Sequence, residues 1–159
     1  MKATLLYRIA SVLFVLFAAG HTFGLLNFKP PTAEGLAVRD AMNNVHFGPN
    51  LSYGAFYVGF GLYVTLYLLF SAFLAWHLSR LASRLPQAIG ALGWIFFAVQ
   101  LASIALSCVY IAAPPAVFSA LVAACLGWAM WSVRGAEAQA AIRRAAQSQG
   151  AFAVQRGGA

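Results

Sequence analysis

Acidic side chains are nearly missing: three Asp and Glu residues stand against ten Lys and Arg in a chain of 159. None of the three falls inside an apolar run. Proton-coupled transport through an intramembrane carboxylate therefore has no candidate group, and a zinc or copper site lacks ligands beyond a lone histidine. Cysteine is equally scarce. Cys108 and Cys125 both lie in apolar segments, without C-x-x-C spacing or a neighbouring His, and read as packing thiols. Serine or cysteine nucleophile motifs and Gly-rich phosphate loops are also wanting. The net charge of +7 does not point to nucleic acid, because the cations punctuate the ends of apolar runs and are not interleaved with aromatics on a polar face.

What the chain has in abundance is hydrocarbon. Hydrophobic residues make up 62% of it and charged residues 8%, with a mean hydropathy of +0.79, which a soluble core of this size could not hide from water. Four apolar runs, Leu5–Leu26, Tyr53–Leu78, Gln87–Ala112 and Pro115–Val133, each approach the ~20 residues that a bilayer core requires. Within hydrocarbon every backbone N–H and C=O must be paired inside its segment, and none of the runs alternates with period two. The expected fold is all-α: a four-helix transmembrane bundle of up-down topology, residues 1–133, followed by a tail, 134–159, that is a helical extension or disordered. Pro86 precedes the third run, and Pro114 with Pro115 opens the fourth, where a missing N–H costs little. Lys2 and Arg8 before Ile9–Ala19 resemble the start of a signal peptide. The run continues to Leu26 without a good small-residue cleavage pattern, so a retained first span is expected.

The cations set the orientation. Lys2, Arg8, Arg80, Arg84, Arg134, Arg143, Arg144 and Arg156 fall on one side of a four-span arrangement, and only Lys29 and Arg39 on the other, beside Glu34 and Asp40. Both termini are expected in the cytoplasm. Trp76, Trp94, Trp128 and Trp131 gather toward the same face, with Tyr53, Tyr57 and Tyr110 toward the opposite one. Ala116, Ala120 and Ala124 on the fourth run, and Ala55 with Gly59 on the second, have the spacing of small-residue packing seams.

The connection between the first two runs, about 26 residues, is long enough to be functional. Pro30 and Pro31 would stop the first helix and Thr32 would cap a new one. Val38, Met42 and Val45 then share a face, with Arg39, Asp40, Asn43 and Asn44 mostly directed elsewhere. A short amphipathic helix lying as a lid on the outer membrane surface is expected here. Beneath it His21, Tyr57 and Ser107 fall at similar depth, and Gln100, Ser103 and Ser107 form one stripe on the third run. A histidine in hydrocarbon needs a partner, so His21 is either a ligand contact completed by Tyr57, Gln100 and Ser107 or a packing residue bonded between helices. His46 and Asn50, in the polar stretch Asn43–Asn50, would close over the same cavity, although loop capping explains that stretch equally well. His77 beside Trp76 and Arg80 reads as interfacial. Bis-histidine haem ligation by His21 and His77 fails on depth, and His21 with His46 lacks a rigid second helix, so no metal and no cofactor are expected.

The stretch Ala19-Gly20-His21-Thr22-Phe23-Gly24 closes the first run, Ala41-Met42 lies in the loop, and Ser52-Tyr53 precedes Phe56-Tyr57-Val58-Gly59-Phe60-Gly61-Leu62 in the second. In these residues the chain resembles an uncharacterised family of small four-span bacterial membrane proteins, over most of its length up to Val133. The resemblance implies a bacterial inner-membrane location and a four-helix fold, and brings no activity, cofactor or substrate with it. Members are expected to carry a more polar or acidic stretch after the tyrosine, where Gly54 and Ala55 follow Tyr53 here.

Three functional classes follow. The first is a lipid-embedded protein that binds a small apolar or amphipathic ligand, or a membrane-protein partner or second copy, through His21, Tyr57, Gln100, Ser107, Asn43 and His46. The second is an enzyme acting on a lipid or quinone-like substrate, with His21 and Tyr57 as acid–base pair. The third is a structural subunit of a membrane complex.

Overall fold

A computed structural model of the protein describes residues 2–111 and 113–157. Helix accounts for 89% of it, in five α-helices: α1 (Lys2–Asn27), α2 (Ala33–Asn44), α3 (Tyr53–Arg84), α4 (Gly90–Tyr110) and α5 (Ala113–Gly157). Four of them, α1, α3, α4 and Ala113–Gln147 of α5, are long and apolar enough to cross a membrane. In none of their apolar windows is more than 39% of the residues buried within the protein. Leaving that surface in water would cost on the order of 25 cal/mol per Å², a penalty that lipid tails remove. The chain is a multi-pass membrane protein.

Local chemistry sets where the helices start and stop. The Thr32 hydroxyl accepts the Gly35 N–H at 3.1 Å as the cap of α2, and Ser52 accepts the Ala55 N–H at 3.1 Å at the start of α3. Between α2 and α3 two short antiparallel strands, β1 (His46–Gly48) and β2 (Leu51–Ser52), pair His46 with Ser52 and turn at Pro49 and Asn50. Pro86 opens a 3₁₀ turn, Pro86–Ala88, and Gly90 then takes a positive φ of 45°. That conformation suits glycine, and it delays α4 beyond Gln87, where the apolar run begins. α5 continues without a break past Val133. A cationic, polar sequence can stay helical once an apolar span has nucleated it.

The chain divides into two compact units, residues 11–74 and residues 1–10 with 75–159. In the first, α1 and α3 run antiparallel, as successive contacts show. Ser11 Oγ donates to the Ala72 carbonyl at 2.8 Å, the Thr22 and Thr65 hydroxyls meet at 2.8 Å, and His21 Nε2 lies 3.0 Å from the Gly61 carbonyl. On α3 the residues at this seam, Gly61, Thr65, Leu68 and Ala72, recur every three or four positions, the spacing that keeps one face turned to a partner. Leu68, Ala72 and, on α1, Phe14 and Ala18 are buried.

In the second unit α4 and α5 form an antiparallel hairpin. Gly93 faces Met130 and Gly127 faces the ring of Phe97, so that a side chain at either glycine would intrude on the opposite helix. The buried face of α5 holds Val122, Leu126, Met130 and Val133 together with the small residues Ser119, Ala123 and Ala129. Ala120 and Ala124, expected to pack, are exposed, as is Ala55 on α3. Small residues do pack on α5, but on the face of Ser119, Ala123 and Ala129, and four-residue spacing alone did not tell which face that is. Tyr7 is fully buried, its hydroxyl donating to the Met130 sulfur at 3.0 Å. The Arg8 guanidinium lies over the Trp76 ring at 5.6 Å and that of Arg134 over Trp94 at 4.7 Å.

Candidate functional site

A cavity of about 340 Å³ opens within residues 11–74, walled by the end of α1, by α2 and by the first turns of α3. From α1 and the residues just after it come Leu25, Leu26, Phe28 and Pro30; from α3 come Gly54, Tyr57 and Val58. α2 contributes Gly35, Val38, Arg39, Met42 and Asn43, the i, i+3, i+4, i+7, i+8 stripe of a helix laid along a surface. Val38 and Met42 are the apolar members expected from the sequence. Arg39 and Asn43, expected mostly elsewhere, stand on the same stripe, because a face about 100° wide includes the i+4 and i+8 neighbours of Gly35 as well. Val45 leaves it, serving as the C-cap of α2 with its N–H bonded to the Ala41 carbonyl at 2.8 Å.

Two glycines let the wall close. A Cβ at Gly35 would come within 2.7 Å of the Pro30 ring, and one at Gly54 would collide with the Asn43 carboxamide oxygen. Arg39 Nη1 donates to the Phe28 carbonyl at 3.1 Å, which fastens the guanidinium beside the C-terminal end of α1. Among the described residues lining the cavity, Arg39 carries the sole charge, and Asn43 and Tyr57 are the other side chains with strong polar groups.

His21 sits one turn before Leu25 on α1, and Leu25 in turn presses on Gly61. A backbone carbonyl only accepts, so His21 brings a proton on Nε2 to the Gly61 oxygen. Thr22 donates to the Ala18 carbonyl at 2.8 Å, which leaves its oxygen to accept from Thr65. These bonds tie α1 to α3 just below the cavity. Tyr57 stands one turn nearer the start of α3 than Gly61 and lines the cavity itself. Asn43 lines it too. His46 lies on β1, exposed, its Nδ1 bonded to the Asn44 carbonyl at 2.9 Å. Gln100 and Ser107 are buried on α4, in the other unit. Ser103 Oγ turns back to the Val99 carbonyl at 2.9 Å.

Arg39, Leu25, Gly54 and Gly61 were not singled out as site residues from the sequence. For Arg39 a signal existed, namely its place four residues after Gly35 and four before Asn43. For the glycines there was none, since an apolar helix holds several and nothing local marks the one that a neighbour approaches. Among the described residues no three His, Cys, Asp or Glu side chains gather as a metal site would need. Cys108 is exposed and Cys125 half-buried, both as free thiols. Comparison with family models, with curated proteins and with solved structures finds no match to this chain.

Proposed function

We propose that the chain is a four-span bundle of a bacterial inner membrane, with both termini in the cytoplasm and α2 on the periplasmic side. There it binds a small amphipathic molecule in the cavity under α2. The observation that carries this reading is the cavity itself: about 340 Å³, within the usual range of roughly 300–1,000 Å³ for ligand pockets, mostly apolar, with polar groups at a few fixed points. The cation bias of the sequence supports the orientation. Binding is favoured over acid–base catalysis because His21 Nε2 is engaged by the Gly61 carbonyl and His21 is not among the residues that line the cavity with Tyr57.

Native mass spectrometry of the gently extracted protein tests the proposal. A bound small molecule is expected on the wild type and is expected to disappear when Val58→Phe fills the cavity. A wild type that retains nothing, or a ligand indifferent to Val58→Phe in a folded protein, would remove the pocket from consideration.

A further inference from the structure

We infer that the occupant of the α2 cavity is a single-chain amphiphile with an anionic headgroup, its head held by Arg39 and its tail in the apolar part of the cavity. This rests on the pocket reading above and adds the chemical class. The volume comes first. At the small end of the pocket range, about 340 Å³ has room for one hydrocarbon chain or part of one.

Charge decides the head. Arg39 is the one ionised group among the described residues of the lining, whereas neither Glu34 nor Asp40 of α2 lines the cavity. Asp40 follows Arg39 directly, and a step of one residue along a helix turns its side chain about 100° away. One guanidinium N–H is fixed on the Phe28 carbonyl, so the fork is held in place with four further donors to offer, in the planar geometry that suits a carboxylate or phosphate. A cationic head would be repelled by the guanidinium, and a neutral one would gain nothing from its charge. Asn43 and Tyr57 stand on the same lining as neutral polar contacts.

The test uses the full chain in phosphatidylcholine nanodiscs, with four probes that share a twelve-carbon tail: dodecanoate, dodecyl phosphate, dodecanol and dodecyltrimethylammonium. Both anions are expected to bind at least about tenfold tighter than dodecanol, the worth of a charge-assisted contact. Arg39→Gln is expected to bring the anions down to the affinity of dodecanol while leaving dodecanol unchanged, which also shows that the variant is folded. Tighter binding of the carboxylate or of the phosphate tells which head the site prefers; either supports the inference. Dodecanol or the ammonium probe binding wild type as well as the anions, with all binding lost in Val58→Phe, overturns the anionic head and leaves the pocket standing. No binding by any probe, or binding that Val58→Phe leaves intact, defeats the pocket and this inference with it.

Discussion

The imidazole of His21 reaches across from α1 to the backbone of α3 and bonds the Gly61 carbonyl at 3.0 Å, at a residue whose missing side chain is what admits Leu25 one turn further along α1. One glycine thus serves two contacts. Its carbonyl satisfies a polar group that hydrocarbon would penalise, and its bare Cα gives room to an aliphatic group that lines the cavity.

From this contact the tautomer of His21 follows. The neutral ring is expected to carry its proton on Nε2, and ¹⁵N NMR of histidine-labelled protein would report it directly. Finding Nδ1–H at neutral pH would mean that the bond to Gly61 is not made. His21→Ala is expected to cost about 1 kcal/mol in a reversible unfolding assay in mixed micelles.

At Gly61 a methyl group would approach Leu25 Cδ2 to 2.5 Å, forcing that side chain into a poorer rotamer. Gly61→Ala should therefore destabilise by about 1–3 kcal/mol. Combined with Leu25→Ala the penalty should shrink, and a double-mutant cycle measures by how much. Strict additivity would show that the two residues do not meet.

The Thr22–Thr65 hydrogen bond links the same two helices at 2.8 Å. Replacing either threonine by valine preserves shape and removes the hydroxyl. Each change is expected to cost about 0.6 kcal/mol, the average for interhelical bonds in membrane proteins. The double variant should cost little more than one of them, because both break one bond.

On the α4–α5 hairpin the sensitive position is Gly93, where a Cβ would strike the Met130 sulfur and come within 2.9 Å of Ile89 Cγ2. Gly93→Leu is expected to pry the hairpin open. A cross-link between cysteines introduced at positions 97 and 127, which face each other in the wild type, should form more slowly in that variant. An unchanged rate would argue against close packing there.

Helix positions were largely legible from hydropathy, because a long apolar run has few ways to satisfy its backbone in a membrane. Faces were less so. Ala120 and Ala124 have the spacing of a packing seam yet are exposed, while Val122 and Leu126 are buried. In water the polar side of a helix marks its outside. A span surrounded by lipid is apolar all round, and that marker is gone. For the same reason Gly61 and Gly59, two residues apart, are indistinguishable by composition, although only Gly61 has a neighbour within 4 Å of its Cβ direction.

Composition and hydropathy alone required this chain to be a membrane protein with four long helices, since the desolvation of backbone groups and the length of a span leave no other arrangement. The register that sets His21 against Gly61, and the turn of α2 that brings Arg39 onto a shared wall with Val38 and Met42, came from packing. Those choices are made by close steric fit between residues far apart in the chain, which no local pattern encodes.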